Sequence, residues 1–124
     1  MEDKIKANAG FVVKQLGPLS GLEFGYNADS VAWVDGFIDS QRNRPGIDNA
    51  TIDGLVNTLG CFLGECIIRC FGGKWCYVDG QWCVNFSDKD AAYPLNLVSK
   101  QFIYGAEYSI KVFLNRCLFC LKNI

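Results

Sequence analysis

The sequence predicts one α+β domain, with helices and strands segregated along the chain rather than alternating. Three observations carry this. Two stretches of helical hydrophobic spacing lie between residues 27 and 73, a strand–turn–strand signal fills 74–86, and two further helical stretches close the chain. The expected order is therefore two helices in the amino-terminal half, a small antiparallel sheet built on the 74–86 hairpin, and two carboxyl-terminal helices. At 124 residues, half of them hydrophobic and 20% charged, the chain has the size and balance of a single packed globule, 1–124.

Residues 1–26 carry the weakest pattern. Phe11-Val12-Val13 suggests a short strand, and Gly17, Pro18, Ser20, Gly21 and Gly25 suggest turns, so this stretch is expected to be an irregular lead-in. Asn27 or Asp29 then caps a helix running to about Arg42, with Val31, Val34, Phe37 and Ile38 on one side and Trp33 flanking them. A second helix begins near Asp48 to Thr51 and stops at Gly72-Gly73. Leu55, Val56, Leu59, Phe62, Leu63, Ile67 and Ile68 make it apolar around most of its circumference, which assigns it to the centre of the fold. Gly60 and Gly64 leave a groove on it where another backbone can approach closely.

Asp79-Gly80 between two short apolar runs is the chemistry of a two-residue type I′ hairpin turn. It pairs Tyr77 with Trp82, Cys76 with Cys83 and Trp75 with Val84. After a polar turn at residues 87–90, Ala91 to Tyr93 suggests a third strand stopped by Pro94. Asn96 is the expected cap of a short helix ended by Gly105, and a last helix runs from about Glu107 to Leu121. Val112, Phe119 and Cys120 fall off its apolar face, which predicts uncovered apolar surface there.

Charge and composition exclude several classes. With 12 basic and 13 acidic residues the net charge is -1, without the basic surplus on which nucleic-acid binding depends. The segment from Leu55 to Phe71 carries Asn57, Glu65 and Arg69, which argues against a membrane span. Met1 to Lys6 is polar and Phe11 to Val13 too short for a signal core, so a cytoplasmic protein is expected, with most of its seven cysteines acting as buried thiols. Histidine is absent, which removes the commonest general base and every Ser-His or Cys-His nucleophile pair.

Four constellations remain. Cys117 and Cys120, with Cys76 and Cys83, have the residue type of a four-thiolate zinc site, but the CxxC sits in an apolar helical pattern and not on a tight turn, so no metal or other cofactor is expected. Asp35 and Asp39, one helical turn apart, suit a divalent metal or an acid/base pair; the favoured reading is a solvated face, with Arg42 neutralising Asp39. Glu65 and Arg69 stand at i, i+4 in the apolar helix and, with Asn57, are expected to mark its exposed stripe. Trp75, Tyr77, Trp82 and Tyr93 either floor a ligand groove or pack one sheet face on the central helix, the second being favoured.

Trp33 to Ile38, Leu59 to Glu65, Gly72 to Trp75, Tyr93 to Asn96 and Val98 to Gly105 together resemble a family of small uncharacterised bacterial domains, over about residues 28–114. The chain is also similar to orphan products of mobile gene cassettes. The resemblance implies no activity, cofactor or catalytic residue.

The expected function is a non-catalytic interaction or binding module that contacts another protein or a second copy of itself. An immunity-type inhibitor using Trp33, Asp35 and Asp39 is one concrete form. The alternative is a small-molecule binder with a pocket between hairpin and central helix, lined by Trp75, Trp82, Phe62 and Tyr93 with Glu65 as polar anchor. An enzyme using Glu65, or Asp35 with Asp39, ranks last, because no nucleophile or oxyanion site stands beside them.

Overall fold

The structure is a computed structural model that describes residues 2–86 and 90–122, with side chains described to residue 118. Among the described residues, five helices and a small three-stranded antiparallel sheet give the expected α+β class, with one helix more than the sequence pattern predicts.

The extra helix is α1, Glu2–Ser20, which replaces the expected irregular lead-in. Ile5, Ala9 and Val12 recur at four- and three-residue steps, and all three are buried. Gly10 and Gly17 lie inside the helix, and Pro18 falls in its last turn, where it removes the bond to the carbonyl four residues back and the helix ends two residues later. Ser20 closes the end by donating its hydroxyl to the Gly17 carbonyl at 2.8 Å.

Helix α2, Ala28–Arg42, begins where expected: the Asn27 side chain accepts from the Ser30 N–H at 2.9 Å. Helix α3, Asn49–Phe71, is capped by Asp48, which accepts from the Thr51 N–H at 2.8 Å. It ends at Gly72, whose N–H reaches the Ile68 carbonyl at 2.7 Å. Leu59 to Ile67 are buried on every side, so this half of α3 is the axis of the domain. By length and hydropathy (1.4 over an 18-residue window) α3 meets the criterion for crossing a membrane, and half of that window is buried inside the domain.

Helix α1 lies along α3, and helix α4, Pro94–Tyr104, packs on another side of it. The close approach expected at Gly60 is made by α4: a Cβ on Gly60 would stand 2.7 Å from the Leu95 Cα. The loop between α1 and α2 folds over α3, laying Phe24 and Tyr26 on Phe62 with ring centroids 5.3 and 5.6 Å away. Strands β1, Lys74–Val78, and β2, Gln81–Asn85, pair in the expected register. Positive φ at both Asp79 (51°) and Gly80 (80°) is what a type I′ turn requires. β3, Ala91–Ala92, adds a short third strand on β2.

The carboxyl-terminal elements differ from expectation at their starts. Helix α4 begins at Pro94, with Tyr93 at the cap and no side-chain cap bond, so Asn96 lies inside the helix. Pro94 is at home there because the first turn has no partner for an N–H. Gly105 ends α4 as expected, and a 3-10 turn, Gly105–Tyr108, leads to α5, Ile110–Lys122, which therefore starts later than Glu107. Val112 is exposed. Phe119, Cys120 and residues 87–89 of the expected polar turn lie outside the described residues or side chains.

Candidate binding site

A half-open groove of about 480 Å³ lies between the start of α1, the end of α3 and the start of β1. Glu2 and Lys6 come from α1, Glu65, Ile68 and Arg69 from α3, and Gly73, Lys74 and Trp75 from the entry to β1.

Its construction begins at Gly64. A Cβ on that residue would run into the six-membered ring of Trp75, so the missing side chain is what lets the indole lie across α3. The next residue, Glu65, meets the same ring: Trp75 Nε1 donates to Glu65 Oε2 at 2.8 Å. Both residues are only 6% exposed. A buried carboxylate is expensive to desolvate, and a single indole N–H offsets only part of that cost. Arg69, one turn on, is exposed and lies over the Tyr26 ring at 4.4 Å. Burial first, and then the Glu65 charge, push the Tyr26 phenol above its ordinary pKa.

Glu65 is thus not on an exposed stripe, contrary to expectation. Asn57 and Arg69 are exposed, but α1 and Trp75 cover the stretch between them. No motif marks Lys6 and Glu2 in the sequence, and only recognition of α1 as a helix directs attention to them.

The aromatic pocket expected between hairpin and α3 is divided. Trp75 borders the Glu65 groove, whereas Phe62 is fully buried beneath Phe24 and Tyr26. Trp82 is half-buried, packs edge-on to Trp75 at 6.3 Å, and lines a separate cleft of about 170 Å³ with Asn8, Cys61 and Leu95. Tyr93 is 36% exposed at the start of α4. Packing of the sheet on the central helix therefore holds for Trp75, while Tyr77, 60% exposed, stays outside.

The α2 candidates serve the fold. Trp33 is half-buried, stacked on Phe37 at 5.6 Å and edge-on to Phe24 at 6.0 Å. Asp35 is half-buried, not on a solvated face: its Oδ1 accepts from the Ser109 hydroxyl at 2.5 Å and the Lys111 N–H at 3.1 Å, capping α5. Asp39 is also half-buried, with Gln101 Nε2 3.5 Å from its Oδ1. Arg42 does not neutralise it; the guanidinium donates to the Phe102 and Ile103 carbonyls at 3.1 and 3.3 Å, closing the end of α4.

Cys76 and Cys83 face each other across the hairpin and Cys117 belongs to α5; among the described residues no three His, Cys, Asp or Glu side chains gather as a metal-binding group. A second groove of about 350 Å³ runs between the exposed half of α3 and α4, bordered by Ile52, Val56, Leu95, Phe102 and Ile103. It contains no buried charge, Asp53 being exposed at its edge. Compared with family models, curated proteins and solved structures, the chain finds no match.

Proposed function

We propose that the chain is a non-catalytic binding module whose working surface is the Glu65 groove. The observation that carries this is the burial of a carboxylate in the wall of a cavity about 480 Å³ in volume, within the roughly 300–1,000 Å³ of small-molecule sites. A carboxylate in the wall of a half-open groove, with one indole N–H on Oε2, keeps acceptor capacity for an incoming cation or donor. Binding is preferred to catalysis because the carboxylates and lysines of the lining have no hydroxyl, thiol or histidine beside them to complete a nucleophile–base pair.

Glu65→Gln tests the reading. The amide retains an oxygen that can accept from Trp75 Nε1, so the packing is kept while the charge is lost. In a thermal-shift screen of small polar compounds, some are expected to raise the melting temperature of the wild type and leave the variant unmoved. A screen in which no compound distinguishes the two proteins overturns the proposal.

A further inference from the structure

We propose that the ligand of this groove is a zwitterion of amino-acid to dipeptide size. Its ammonium meets the Glu65 carboxylate, and its carboxylate lies among Lys6, Arg69 and Lys74. The inference rests on the groove being the working surface and adds the class of molecule it takes.

The charges decide the class. Glu65 is buried and its Oε2 accepts from the Trp75 indole, so the ligand group that approaches this carboxylate must be a cation or a hydrogen-bond donor. Around it stand three cations from three elements: Lys6 on α1, Arg69 on α3 and Lys74 at the entry to β1. Glu2 is the second carboxylate of the lining, in the first turn of α1. A monoanion entering the groove therefore meets two carboxylates, and a monocation meets three cations. A molecule carrying both signs satisfies both sets, because like-charge contact costs affinity while complementary charge gains it.

Size and polarity narrow the class further. Ile68 and the Trp75 ring give the groove an apolar wall beside the charges, which suits an apolar side chain. About 480 Å³, half open, leaves room for one such residue and part of a second. The groove between α3 and α4 has no buried charge and offers no comparable discrimination.

Titration calorimetry on the full, reduced chain tests this with four probes: phenylalanine, the dipeptide phenylalanyl-alanine, phenethylamine and 3-phenylpropionate. Phenylalanine or the dipeptide is expected to bind about tenfold or more tighter than either singly charged analogue, a difference typical of one charge-assisted contact. Glu65→Gln is expected to weaken the zwitterion and phenethylamine alike. Lys74→Gln, at an exposed position, is expected to weaken the zwitterion and to tighten phenethylamine, which loses a like charge beside it. Circular dichroism of each variant checks that the fold persists. If phenethylamine or 3-phenylpropionate binds as tightly as the zwitterions, in a manner that depends on Glu65, the zwitterion class is overturned and the groove stands. If no probe shows binding that depends on Glu65, the zwitterion class falls, and the groove falls with it only when the thermal-shift screen also finds no compound that separates the wild type from Glu65→Gln.

Discussion

Single side chains in this protein are decided by what covers them, and Glu65 and Asp48 show the two extremes. Asp48 sits in the open and acts locally. Hydrogen bonds from Thr51, its side chain first and its backbone N–H next, hold the Asp48 carboxyl below its ordinary value, with the Arg44 charge adding to the effect. Because the folded pKa is depressed, the stabilisation is present above the unfolded value, about 3.9, and disappears as pH falls through the folded one. Asn is an equally good cap without a charge to interact with the helix dipole. Asp48→Asn is thus expected to melt below the wild type at neutral pH, and the gap should close once the pH drops well under about 4. Melting curves over that range check it, and a gap independent of pH would show that the carboxylate charge contributes nothing. The starts of α2 and α3 were legible to within a few residues, as Asn27 or Asp29 and as Asp48 to Thr51, because capping is settled within three residues. Glu65 was not, because its covering comes from Trp75 and α1, and helical periodicity carries no information about a distant element.

Elements were legible in proportion to how local their signals are. The β1–β2 register followed from Asp79-Gly80 alone, since a two-residue turn leaves one pairing. Helix α1 was obscured by Gly10, Gly17 and Pro18, which resemble punctuation, while its Ile5, Ala9, Val12 stripe becomes meaningful only against α3. The glycines of α3 show the same dependence on surroundings, and they predict opposite signs for the same substitution. Gly54 lies in the exposed half of the helix with nothing within 4 Å of the point a Cβ would occupy, so Gly54→Ala is expected to stabilise by about 1 kcal/mol through helix propensity. Gly60 has the Leu95 backbone at 2.7 Å from the corresponding point. Gly60→Ala must displace α4, and overpacking of about 1–3 kcal/mol outweighs the propensity gain. Urea unfolding with unchanged m-values measures both. Two substitutions of equal sign would mean that α4 yields easily and that the close approach is not a constraint.

At the scale of the molecule, the segregation of elements that gave the α+β class was visible in the sequence, but the joint that binds its carboxyl-terminal half was not. That joint is Gln101, fully buried on α4. Its Oε1 accepts from the Ile110 N–H at 2.9 Å, and its Nε2 donates to the Asp35 carbonyl at 3.2 Å. With Asp35 capping α5, one amide and one carboxylate tie α2, α4 and the start of α5 together across 66 and 74 residues of sequence. Nothing in the local pattern around Gln101 marks it, because a glutamine in a short helix is ordinarily a surface residue. Gln101→Leu keeps the volume and removes these two bonds together with the longer contact to Asp39. The Ile110 N–H, in the first turn of α5, is then buried without a partner, at a cost of about 1–3 kcal/mol, while the Asp35 carbonyl keeps its place in the α2 ladder. The loss should also be uneven. The amide of Ile110 is expected to exchange with solvent faster than global unfolding allows, while the buried amides of α3 from Leu59 to Ile67 follow the global stability. Hydrogen exchange read residue by residue separates the cases: uniform acceleration would make Gln101 an ordinary contributor to one cooperative core, and selective release of the α5 start would identify it as the hinge on which that helix is held.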